Sequence, residues 1–208
     1  MKRILYALTF VLAATPAFAQ SAWGPGADDA AFNAMLRASF RERPAAPLTR
    51  LDQDSAQQFC SDPVLSHSRA GAATADRIER ENMSAVKFPA DGQFLGDWRR
   101  GEAIAQSGRG LTWTDPPNQA NGGNCYNCHQ ISEAEISFGT LGPSLLGYGK
   151  LRGNTPEVQR ATWAKIWNAK ASNACSNMPR AGHMGILTEA QIKDLMALLL
   201  DPDSPVNK

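Results

Sequence analysis

Cys125-Tyr126-Asn127-Cys128-His129 is the stretch from which the rest of this chain is read. Two cysteines three apart, followed at once by histidine, form the attachment signature of a c-type haem. The order has a chemical reason. Two thiols add across the vinyl groups of the macrocycle, and the next residue then lies beneath the ring, where its imidazole binds iron. Cys125 and Cys128 are therefore the expected covalent anchors of one haem c, and His129 the expected proximal ligand. A structural zinc site would need a second Cys/His pair at ligand spacing, and neither Cys60 nor Cys175 belongs to one. A redox dithiol has no need of the trailing histidine.

The chain has 208 residues, which suggests one domain with an extension or two small domains. A 43% hydrophobic content fits a globular protein, and a formal charge of +1 gives no electrostatic reason to expect nucleic acid. Lys2 and Arg3, the apolar run Ile4 to Ala14, and Ala17-Phe18-Ala19 read as a secretory signal cleaved after Ala19. The mature protein is then expected to begin at Gln20, in the periplasm. No stretch reaches the roughly 20 apolar residues that span a bilayer, so no membrane span is expected.

Export also bears on the two remaining thiols. Once the pentapeptide has taken haem, Cys60 and Cys175 are left over, and in an oxidising compartment such a pair is expected to form a disulfide. The alternative is two separate thiols, one of them kept for redox chemistry.

Three regions follow: the signal at 1–19, an extension at 20–88 that packs on the haem domain, and the haem domain at 89–208. In the extension, Phe32, Met35, Leu36 and Phe40 predict a helix from Ala30 to Arg43, capped by Asp28-Asp29 and stopped by Pro44. Asp52 to Phe59 continues as a turn or helix, Asp62-Pro63 reads as a turn, and Thr74 to Met83 as a helix or a solvated connector. In the haem domain, Asp97 caps a helix over Trp98 to Ile104. Thr155-Pro156-Glu157 opens another that runs to about Lys170, with Val158, Trp163, Ile166 and Trp167 inward. Thr188 and Gln191 make a capping box for the last helix, whose stripe is Ile192, Leu195, Met196 and Leu199 and whose end is Asp201-Pro202. No strand pattern appears, so the expected fold is all-α.

Gly142-Pro143 after the motif offers a carbonyl with no N–H of its own. A ligating imidazole donates its second N–H to such an acceptor, and the Pro143 carbonyl is assigned that part, a plain Gly-Pro turn being the alternative. The opposite face of iron draws its candidates from Asn177 to Gly185. Met178 is preferred because Pro179 restricts the residue before it, so the thioether arrives on a stiffened backbone. His183, Met184 and an open sixth position remain as alternatives. His67 reads as a solvated loop residue.

These residues resemble class I cytochromes c, in the order helix, haem motif, Gly-Pro turn, methionine loop and closing helix. More specifically, the chain is similar to the SoxX family, the monohaem subunits of SoxAX cytochromes of bacterial thiosulfate oxidation. The resemblance rests on Cys175-Ser176-Asn177-Met178-Pro179-Arg180, on Gly139 to Leu145, on Gly185 to Ile192, and on Asp194 to Asn207. It covers residues 85–208 well and the extension loosely. It implies a periplasmic heterodimer with a SoxA-type dihaem or monohaem cytochrome. Such a pair couples thiosulfate oxidatively to a cysteine of a sulfur carrier protein. It also implies electron transfer from this haem to a downstream acceptor, with the catalytic residues in the partner and none in this chain. Carried over, His129 and Met178 are the axial ligands. Two other readings compete: a free-standing monohaem carrier to a terminal oxidase, and an enzyme with an open haem face.

Overall fold

The structure, a computed structural model, describes residues 27–44, 46–116 and 118–208. The expected signal segment lies outside the described residues. None of the described helices is long and apolar enough to cross a membrane.

The extension contributes α1 (Ala27–Ser39), α2 (Ser55–Ser61), α3 (Pro63–Ser66) and α4 (Ala72–Ser84). The haem region contributes α5 (Trp98–Gln106), α6 (Tyr148–Arg152), α7 (Pro156–Trp167) and α8 (Glu189–Leu200), with 3-10 turns at Cys125–Asn127, Ala169–Ala171 and Pro205–Asn207. Among the described residues the extended pairing is a single bridge, Arg43 to Ala46. The all-α expectation holds.

Local chemistry explains most helix starts. Asp97 accepts from the N–H of Arg99, and Thr155 from that of Val158 ahead of a proline in the first turn. Thr188 and Gln191 cap each other reciprocally, as do Asp54 and Gln57 at the start of α2. Asp62 accepts from both Val64 and Leu65, which turns the expected Asp-Pro bend into the short helix α3.

Two boundaries differ from the sequence reading. Helix α1 begins at Ala27, so Asp28 and Asp29 sit in its first turn rather than before it, and it ends at Ser39, leaving 40–43 non-helical. Its apolar stripe is not a packing face: Phe32, Met35 and Phe40 are each about half exposed. One contact that holds α1 is polar, an ion pair from Arg37 to Asp52. Helix α7 stops at Trp167, not Lys170. Asn168 leaves helical geometry, caps the following turn by accepting from the Lys170 N–H, and sends its own amide to the Asn82 side chain at 2.8 Å. Asn168 is fully buried, so a satisfied side chain outweighs one more helical turn.

The main core gathers Trp163, Trp167, Phe94, Ile131, Ile192, Met196 and Leu198, with Phe94 edge-on to Trp163 and the two tryptophans stacked at 5.9 Å. Helices α5 and α8 cross at Gly101, where a Cβ would lie 2.1 Å from the Asp194 carbonyl oxygen. The Asp194 side chain, buried within α8, locks the crossing. It accepts from Arg100 through Nε and Nη2, both at 2.9 Å, and from the Asp97 N–H at 2.8 Å. Gly101→Ala forces the helices apart, and the gain in helix propensity is smaller than the overpacking. We expect a net loss of about 2 kcal/mol, read as a fall of roughly 5 °C in the thermal midpoint of the haem-loaded protein.

A second, smaller cluster joins the extension to the haem region. Ala56, Phe59 and Ile78 pack on Ala174, next to a disulfide between Cys60 and Cys175. The expected pairing of the leftover thiols is present.

Candidate functional site

The pentapeptide follows Asn124, which has left-handed backbone with φ of 49°. The N–H of Gly123 bonds to the Ile104 carbonyl and that of Asn124 to the Ser107 carbonyl, so the end of α5 fixes where the motif begins. One 3-10 turn follows. Cys128 and His129 both donate backbone N–H groups to the Cys125 carbonyl, at 3.1 and 2.9 Å, which brings two free, half-buried thiols and the imidazole onto one short loop. Burial pushes the Cys125 thiol up to about 11. That environment suits sulfur destined for a neutral thioether and opposes a thiolate.

The chain after the motif folds back along it. Gly139, Gly142 and Leu145 donate N–H groups to the carbonyls of Tyr126, Cys128 and Gln130, at 2.7, 2.7 and 2.8 Å. This lays Gly142-Pro143 over the histidine. His129 Nδ1 lies 2.7 Å from the Pro143 carbonyl, which can only accept, so Nδ1 carries the proton and Nε2 keeps its lone pair. A Cβ on Gly142 would fall 2.2 Å from His129 Cε1, so the ring can sit in this place only beside glycine.

The loop between α7 and α8 supplies the other wall. Met178 is half-buried and packs against the main core, as Cys125, Leu145 and Tyr148 do. Met184 is 58% exposed, and His183 is exposed with its backbone N–H on the Trp167 carbonyl. Partial desolvation of its ring and the neighbouring Arg180 charge hold His183 below the usual histidine range. The structure thus places Met178 inward and the other two candidates outward. His67 is exposed, with Nδ1 near the Pro63 carbonyl.

Three features went unread in the sequence. Trp167 Nε1 is a buried donor without a protein partner among the described residues. Such a group calls for an acceptor, and a carboxylate of the haem periphery has the right chemistry. Asp194, on the closing helix, is the buried anchor of the α5–α8 crossing, a role the sequence reading did not assign it. Asn207 ties the C-terminal turn down. It donates to the carbonyls of Leu199 and Asp201 and accepts from the N–H groups of Gly149 and Lys150. A lone asparagine or aspartate near a helix carries no periodic signal.

Paired thiols, an imidazole with a fixed tautomer, glycine at its face and an unmatched buried donor all fit a covalent haem. Cys125 and Cys128 would hold it, His129 and Met178 would face its iron, and Trp167 would meet its polar rim.

Comparison with known proteins agrees. Residues 100–201 match the profile of the family described as Cytochrome c. An uncharacterized lipoprotein of Aquifex aeolicus (strain VF5) is 38% identical over 157 residues, covering 75% of this chain and 73% of the relative. The α5-to-α8 frame carries the motif between its first and last helices, and the matched residues begin within α5 and end one residue past α8; the chain belongs to the cytochrome c family, with haem c bound covalently and electron transfer as its role.

Proposed function

We propose that this protein is the electron-transfer subunit of a SoxAX-type complex, exported to the periplasm and partnered by a SoxA-type cytochrome. The haem supplies one-electron chemistry at iron. The chain's own residues do the rest. His129, oriented through Pro143, would offer Nε2 to a bound haem, and Met178, on a backbone stiffened by Pro179, would offer its thioether. With both residues so engaged, the chain would leave room for electron passage rather than for a substrate, which argues against an enzyme acting alone.

The observation that carries the electron-transfer part of this reading is the inward seat of Met178 against the same core as Cys125, with Met184 turned to solvent, while the SoxAX part rests on the C-terminal resemblance. The run on which the SoxX resemblance rests also has a structural use: Ser204 bonds to the Leu198 carbonyl at 2.6 Å, and Asn207 pins α6 against the end of α8. Support for export comes from the Cys60–Cys175 disulfide, a bond of oxidising compartments, and from a relative named as a lipoprotein. Purification from the native host is expected to bring down a second c-type cytochrome in a stoichiometric complex. A stable monomer that passes electrons to a terminal oxidase unaided would establish the free-standing carrier instead.

A further inference from the structure

The extension lends no ligand to the haem site, yet it grips the loop that carries Met178 at four points. The buried Asn168 donates to Asn82 at 2.8 Å. The Ala174 N–H donates to Glu79 Oε1 at 3.0 Å, while the Ala174 carbonyl accepts from the buried Lys170 ammonium at 2.8 Å. Cys175 is bonded to Cys60. Arg180 Nη2 meets Asp54 Oδ2 at 2.6 Å, with the Arg180 side chain only 14% exposed. Met178 lies between the last two of these points.

Its own backbone has little else to hold it. From Ala174 to Arg180 the chain is in no helix or strand, and the Met178 N–H rests on the Ser176 hydroxyl at 3.2 Å. A backbone without a ladder opens locally unless side chains from elsewhere close it. Asp54 is well suited to do so. Burial raises its carboxyl, but the Gln57 N–H and the Arg180 guanidinium outweigh that and hold it below the usual carboxylate range, so at neutral pH the contact is charge-assisted.

We propose that Asp54 and Glu79 are positioning residues for the axial methionine: by fixing the backbone on both sides of Met178, they keep its sulfur on the iron. The extension thereby forms an outer wall of the haem site, contributed by residues some 95 to 126 positions away in sequence. This rests on the assignment of Met178 as the sixth ligand. The grip is positional, so loosening it raises the frequency with which sulfur leaves iron without removing the ligand itself.

The test uses full-length, haem-loaded protein and imidazole as the probe. Imidazole takes the sixth position only when the methionine lets go, so its rate of capture by ferric protein reads the opening of the loop. Asp54→Asn and Glu79→Gln each leave the disulfide and the Phe59 and Ile78 contacts in place. Each is expected to speed capture by about fivefold, a magnitude suited to a single partly buried polar contact. The double variant should combine both effects, weaken the methionine-to-ferric-iron charge-transfer band, and lower the potential. Asp54→Glu should restore most of the wild-type rate, and Arg77→Ala, which breaks an exposed pair in the same extension, should leave it unchanged. Wild-type capture in both single variants, with the band present in the parent, would overturn the inference while leaving Met178 as ligand. A parent lacking the band would overturn the ligation and the inference together.

Discussion

Replacing Met178 with alanine is expected to abolish the ferric charge-transfer absorption of a sulfur-ligated haem. The reduction potential should fall by on the order of 0.1–0.3 V, a part of the roughly 0.8 V over which axial ligands spread haem potentials. The reason is the softness of the thioether, which favours ferrous over ferric iron relative to nitrogen or water. The geometry makes the effect specific to this residue. Met178 is the methionine of the α7–α8 loop that packs inward, and Met184, six residues on, is turned outward. Met184→Ala should therefore keep both the band and the potential. If Met184→Ala loses the band and Met178→Ala retains it, the assignment passes to Met184. Haem content, read from the thioether-bound chromophore, should be unchanged in both variants, because Cys125 and Cys128 do not depend on the sixth ligand.

The second large effect concerns stability. Cys60 and Cys175 stand 115 residues apart, and their bond encloses the pentapeptide, α5 and α7 in one covalent loop. Closing a loop of that size removes enough freedom from the unfolded chain to be worth up to about 5 kcal/mol in the chain-entropy account. Replacing both cysteines with alanine should lower the thermal midpoint by roughly 10–20 °C at the few degrees per kcal/mol usual for a chain of this length. The small cluster of Ala56, Phe59, Ile78 and Ala174 remains, so the variant should still fold. A fall of less than about 3 °C would show that this packing already confines the chain without the bond. Denatured, unreduced wild-type protein should show no titratable thiol, because Cys60 and Cys175 are paired and Cys125 and Cys128 are thioethers.

What the sequence disclosed, and what it hid, divides along a physical line. Cys125 to His129, the Thr188–Gln191 capping box and the Thr155-Pro156 start are local chemistry, each complete within a few residues, and each stands where it was read. The Pro143 carbonyl was legible because a Gly-Pro step announces a free acceptor. Features that depend on a distant partner were not legible. The stripe of α1 has helical period but finds no core to cover it among the described residues. Short α6 carries Tyr148 to the Thr162 hydroxyl at 2.9 Å, and its placement comes from Asn207 at the far end of the chain rather than from its own five residues. Asp194 carried no role in the sequence because nothing local showed that Arg100 and the Asp97 N–H would meet it. Local pattern specifies elements, and long-range pairing decides which polar residue is buried.

The seating of Gly101 on Asp194 has a bearing on how the protein is made. The opening helix of the haem region has its mate almost a hundred positions later, so this crossing is a long-range contact that forms only after both segments are available. The thiols of Cys125 and Cys128 emerge about sixty residues ahead of α8, onto a polypeptide still open on that side. Haem attachment at the pentapeptide therefore has no need of the α5–α8 crossing, and the two can form in either order.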